Sequence, residues 1–176
     1  AGLFQNNTKE ALEEKGYSLE PNGIFVKANE RYLPLWEAKF FNQLDHRFAT
    51  FAGTSYEGRL RRRAGTNLVT TEQKRNPEYE IVPRYWVSEK GFLAVVNKYS
   101  WNHKWAFAFR NVTRMTTDTR SSMGTIVPWV PMGNSAPMLL FRGKTSASDA
   151  LLFTGIFTST VFDYVLRQKM AGTNLN

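Results

Sequence analysis

The sequence predicts an α+β fold: a mixed or antiparallel sheet with a few helices, including a long C-terminal one. Short aromatic and β-branched runs such as "IFVK", "YEIVPRYWV" and "KWAFAFRNVT" sit between Pro and Gly signals and read as strands. The closing "SASDALLFTGIFTSTVFDYVLRQKMAG" repeats its apolar residues at helical spacing. Runs of both kinds share one chain of 176 residues, without repeat or heptad, which favours α+β in a single domain spanning 1–176.

Residues 1–16 are expected to hold a short helix. In "TKEALEEK" Asn7 or Thr8 is the cap, acids come early, Lys15 comes late and Gly16 stops it. Pro21-Asn22-Gly23 reads as a turn, with strands over "IFVK" and "YLPLWEAKFF". Residues 54–80 turn polar and basic, which predicts a long exposed loop or a hairpin insertion. Ser88 is placed to cap a helix over "EKGFLAVVNKY". The prolines of "GTIVPWVPMG" and "APMLLF" mark strand ends or an edge. For the last helix Ser146 or Ser148 is the expected cap. Leu152, Ile156, Phe157, Val161, Tyr164 and Val165 form its expected apolar stripe, Gly155 its bend and Gly172 its end.

Composition narrows the function classes. The 42% hydrophobic and 14% aromatic content is that of a folded domain. The chain has no cysteine and two histidines, His46 and His103, so disulfides and thiolate metal sites are absent. No apolar run nears the roughly 18 residues of a membrane span, and the opening is unlike a signal peptide, so a cytoplasmic protein without a membrane partner is expected. The net charge is +8; residues 1–37 carry −2 and residues 38–176 carry +10. That imbalance points to a polyanionic partner, nucleic acid first.

Three motifs suggest chemistry and lack what it needs. Glu37-Ala38-Lys39 is the second half of a Mg²⁺ nuclease motif, but the first Asp, Asp45, lies after it; an ordinary strand is the simpler expectation. Asp45 and His46 are adjacent, so on an extended chain they face opposite ways, and nothing completes a triad. Asn76-Pro77-Glu78-Tyr79 imitates the Asn-Pro-Pro-Tyr of amino-methylating enzymes, yet Glu78 replaces a proline and no apolar strand precedes it.

The basic series remains. Arg59, Arg61, Arg62 and Arg63 lie in "GRLRRRAGT", followed by Lys74 and Arg75, then Arg84, Arg110, Arg114, Arg120, Arg142 and Lys144. Arginine forks bridge phosphate oxygens or read guanine, whereas lysine acts as a point charge. The simpler account is a solvated face. The loop composition, the nearby aromatics and the +10 segment together favour DNA contact.

Four ordered blocks carry a family likeness: "YLPLWEAKFFNQLDHRFATF", "VPRYWV", "FAFRNVTRMTTDTRSSMGTIVPWVPMGNSAPML" and "FTSTVFDYVLRQKMAGTNLN". Over residues 17–176, with 54–80 least alike, the chain resembles the C-terminal target recognition (specificity) domain of Type IIG-like restriction–modification adenine-specific DNA methyltransferases and their phage-defence relatives. Trp36, Ala38, Asn42 and Ala171 stand where the family pattern has Tyr, Gly, His and Gly.

The resemblance implies double-stranded DNA as partner, and a methyltransferase catalytic domain of the same polypeptide that uses S-adenosylmethionine. A nuclease, with Mg²⁺, often accompanies that domain. It further implies that this chain is a piece of a longer protein, with Ala1 left from a tag, and that it holds neither cofactor nor catalytic residue itself. Arg59, Arg61, Arg62, Arg63, Lys74 and Arg75 are then the expected loop contacts, mostly to phosphate. Lys39, Asp45, His46, Arg47, Arg110, Arg114 and Arg120 form a second tier. Arg167 and Lys169 face either DNA or the catalytic domain, or simply complement a helix end. Two alternatives stay open: a Mg²⁺-dependent nuclease using Glu37 and Lys39, and a scaffold for a partner subunit that does not bind DNA.

Overall fold

A computed structural model describes residues 4–61, 64–113, 118–141, 143 and 146–175. Helix α1 (Lys9–Glu14) is capped by Thr8, whose hydroxyl accepts from the Ala11 N–H at 3.2 Å. Gly16 follows at φ +79°, a conformation open to glycine without strain. Strands β1 (Ser18–Leu19), β2 (Phe25–Lys27) and β3 (Glu30–Leu35) then form an antiparallel meander.

Beyond β3 the sequence reading needs correction. "YLPLWEAKFF" is not one strand: β3 ends at Leu35, and Ala38–Phe40 is a 3₁₀ turn that buries Phe40. Residues 54–80 are neither a bare loop nor a simple hairpin. They hold α2 (Tyr56–Leu60), β5 (Asn67–Leu68) and α3 (Thr71–Arg75), with β5 pairing back on β4 (Ala49–Thr50). Ser55 caps α2, and Thr70 with Gln73 forms a capping box on α3. Buried Ala64 and Val69 anchor this stretch, which a reading of its polar surface residues misses.

Strand β6 (Tyr85–Ser88) joins β3 and completes the sheet β1-β2-β3-β6. Pro34 sits opposite Trp86, and the Trp86 N–H and C=O both bond to Asn7 at 2.8 and 2.9 Å. Pro34 therefore occupies a pair that needs no donor from it. Helix α4 (Glu89–Val96) starts on the Ser88 cap, as the sequence predicts.

The second sheet is β8-β7-β9, from β7 (Trp105–Phe109), β8 (Gly124–Pro128) and β9 (Met138–Leu139). Gly124 lets β8 approach closely, since a Cβ there would lie 2.4 Å from the Phe107 ring. Trp36 links the sheets: its N–H donates to Pro131 and its C=O accepts from Gly133, both at 2.8 Å. Around it Phe40, Phe41, Phe51, Ile81, Ala108 and Val127 form the main core.

The C-terminal segment is two helices, α5 (Ala147–Phe157) and α6 (Thr160–Lys169), at 61° to each other. The break falls at Thr158-Ser159, where Ser159 caps α6, and not at Gly155; α6 ends at Lys169, short of Gly172. Ser146 caps α5 in a box with Asp149. Of the expected stripe only Phe157 is buried, against Phe107 at 5.0 Å. Leu152 (66%), Ile156 (53%), Val161 (74%) and Tyr164 (65%) are exposed, with Val165 beside them. Helical spacing identifies a face, but α5 is apolar on both sides, so spacing alone does not say which side packs. Among the described residues no single helix is long and apolar enough to cross a membrane.

Candidate nucleic-acid interface

The tight turn Asn42–Asp45 closes with two backbone bonds and places Leu44 at φ 57°. It is wedged between elements distant in sequence. The Leu44 N–H donates to Gly124 at 3.3 Å, and Gln43 Nε2 donates to the Thr158 carbonyl at 2.8 Å. Asp45 then accepts from the Arg47 N–H at 3.0 Å and from Lys74 Nζ at 2.5 Å. Both carboxylate oxygens are thus engaged away from His46, and the pair makes no acid–base dyad.

Arg47 reaches inward. Its Nη1 donates to the carbonyls of Asn76 (2.9 Å) and Tyr79 (3.3 Å), and its Nη2 to that of Lys74 (2.7 Å). The guanidinium fixes α3 and the following Asn76–Tyr79 segment in place. His46 is exposed, yet the chain packed around it and the Arg47 and Lys74 charges hold its imidazole below the ordinary 6.5, against the opposing pull of Asp45.

Beside this turn lies a cleft of about 470 Å³ lined by Asn42, Gln43, Asp45, Phe48, Arg110, Asp118, Thr119, Arg120 and Met123, two arginines with two acids. Arg110 donates through Nε (3.0 Å) and Nη2 (2.5 Å) to the Phe41 carbonyl and lies 5.7 Å over the Phe48 ring. Arg120 donates to the Thr158 carbonyl at 3.0 Å and faces Asp163 at 3.9 Å. Asp163 is buried, which pushes its carboxyl up. Bonds from Ser122 and Ser121, with the Arg167 charge, outweigh that and hold it below the ordinary value. Arg167 donates to Asp163 at 3.2 Å and to the Asp118 carbonyl at 2.8 Å.

A second cluster surrounds Glu37. Arg84 donates to it through Nε (2.9 Å) and Nη2 (2.5 Å), with Nη1 on the Arg59 and Arg61 carbonyls at 3.3 Å. Lys39 donates to the Ala64 carbonyl at 3.0 Å, and Arg59 pairs with Glu10. The Glu37 carboxylate is thereby committed to cations, and among the described residues no three His, Asp or Glu side chains converge as metal ligands.

The expected contacts thus divide. Lys39, Arg47, Arg59, Arg110, Arg120 and Arg167 brace the fold through carbonyls or carboxylates, and Lys74 is paired with Asp45. Arg61, Arg75 and Lys169 are exposed and, among the described residues, form no ion pair. Arg62, Arg63 and Arg114 lie outside the described residues. Lining residues such as Gln43 and Thr119 carry no sequence signal, since only the folded turn brings them to the cleft. No family model, curated protein or solved structure matches this chain.

Proposed function

We propose that this chain binds double-stranded DNA as the target recognition domain of a cytoplasmic restriction–modification adenine methyltransferase. Methyl transfer from S-adenosylmethionine belongs, on this proposal, to a catalytic domain of the same polypeptide. The observation that carries it is the polar cleft at the Asn42–Arg47 turn. It sets Arg110 and Arg120 among Asp45, Asp118 and Gln43, in a segment, residues 38–176, of net charge +10. Cations held rigidly by carbonyls keep their charge and present a preorganised field to a phosphate backbone. Exposed Arg61, Arg75 and Lys169 then supply direct phosphate contacts.

Fluorescence anisotropy with a duplex oligonucleotide across a salt series is the test. Affinity should fall steeply with salt, with a log–log slope of about −0.9 per phosphate neutralised. No binding at about 50 mM salt, on a scale where a few phosphate contacts suffice, would refute the proposal.

The scaffold alternative has one observation in its favour. The outer faces of α5 and α6 expose Leu151, Leu152, Ile156, Val161 and Tyr164, apolar side chains of the kind that a partner subunit covers. A scaffold binds its partner subunit and shows no duplex affinity in the same assay.

A further inference from the structure

The segment Asn97–Trp105, "NKYSWNHKW", interleaves cations with aromatic rings and takes no part in the cleft described above. It follows α4 as a 3₁₀ turn over Asn97–Tyr99 and leaves that turn through Ser100 at φ 51°, a left-handed residue that redirects the chain into β7. Tyr99 is 54% exposed, with Lys98 Nζ 4.9 Å from its ring centroid. Trp101, His103 and Trp105 are each partly exposed and form a compact stack. His103 lies 4.8 Å from both indoles, 30° from the plane of Trp105, and the indoles are 5.3 Å apart, edge to face.

The stack is held before any ligand arrives. Trp101 Nε1 donates to the Trp105 carbonyl at 2.7 Å, which orients its indole, and Trp129 and Phe141 back that ring at 6.4 Å. Lys104 is exposed and, among the described residues, has no ion pair. Partly exposed rings on a fixed base, with an exposed tyrosine and two lysines in the same short segment, match the chemistry that takes an unpaired base: a π-face for the base and a cation for its phosphate. A ring cluster that only closed the end of a core would not need flanking cations or a solvent-facing tyrosine.

We propose that Tyr99, Trp101 and His103, with Lys98 and Lys104, form a stacking site for an unpaired nucleobase of a DNA strand. The site rests on the DNA-binding proposal and extends it, since a domain acting beside a displaced base meets unstacked nucleotides as well as duplex.

The experiment compares an oligothymidine 12-mer, a fully paired duplex, and the same duplex with one bulged thymine, by anisotropy and tryptophan quenching. Three of the five tryptophans, Trp101, Trp105 and Trp129, lie at this site, so the 12-mer should quench emission. Tyr99→Ala with His103→Ala should weaken binding of the 12-mer and the bulged duplex by roughly tenfold, and leave the paired duplex within about twofold. Trp101→Phe, which keeps a ring, should retain most of the affinity that Trp101→Ala loses. Equal loss on all three probes, or no loss on any, overturns the stacking site while leaving duplex binding standing. Binding of the 12-mer without duplex binding upholds the site and refutes the domain's duplex role.

Discussion

Arg84 grips Glu37 with two parallel bonds, Nε to Oε1 at 2.9 Å and Nη2 to Oε2 at 2.5 Å, and its guanidinium lies 5.5 Å from the Phe51 ring centroid. The pair joins the residue before β6 to the N-cap of the 3₁₀ turn after β3, so a residue pattern that resembles half of a nuclease motif acts as a structural clamp. Arg84→Ala leaves a largely buried carboxylate with Lys39, 3.7 Å away, beside it and no bidentate partner, and should cost about 2–3 kcal/mol in urea unfolding. Arg84→Lys should recover little, because a point charge cannot make both bonds. A loss below about 1 kcal/mol for Arg84→Ala would contradict the clamp.

Asp163 ties α6 to the segment that leads into β8, through the Ser121 and Ser122 N–H groups at 2.6 and 2.8 Å. Asp163→Asn removes a charge from two arginines and replaces an acceptor with a donor facing an N–H. It should destabilise the fold by about 2–3 kcal/mol at neutral pH. The folded carboxyl titrates below its unfolded value, so its contribution is complete above about pH 4 and vanishes as pH falls through the folded value. Acid unfolding curves of the parent and the Asn variant should therefore converge.

His46 behaves in the opposite sense. Its folded imidazole binds its proton less readily than the unfolded one, so its contribution is complete above about pH 6.5 and declines as pH falls below that. On the proposed function, a phosphate brought beside the ring favours its charged form. A duplex should move the His46 titration upward in NMR, with His103→Gln used to assign the signal. An unchanged midpoint with saturating duplex would remove His46 from the interface.

Arg47, bonded to the Lys74 carbonyl, and Arg75 lie on the same part of the proposed DNA surface yet should respond differently to alanine. Arg47→Ala breaks three carbonyl contacts and should lower stability by about 1.5–3 kcal/mol. Arg75→Ala and Arg61→Ala should leave the unfolding midpoint unchanged and each reduce the salt slope of duplex binding by about one unit. An unchanged slope in both would take α2 and α3 off the DNA surface.

The outer face of α5 and α6 offers a contrast of burial. Leu152→Glu with Ile156→Glu should change stability by less than about 1 kcal/mol, since both side chains already face water. Phe157→Ala, which opens a space against Phe107, Phe153 and Phe162, should cost about 3 kcal/mol. Urea titrations of the two variants separate the faces directly.

Local signals determined much of this protein. Thr8, Ser88 and Ser146 cap helices where their hydroxyls precede apolar runs, and Gly16 ends a helix at positive φ, because capping and glycine conformations depend on a few adjacent atoms. The α+β class followed from the same short-range patterns, and residues 38–176 carry their charge excess whatever the fold. Tertiary structure alone decided the rest. It split the last helix at Thr158-Ser159, turned Leu152 and Tyr164 outward, and set Arg47, Arg110 and Arg120 on carbonyls or an aspartate far along the chain. Sequence shows that an arginine is charged. Which carbonyl satisfies its five donors depends on backbone groups brought together only when the sheets and helices pack.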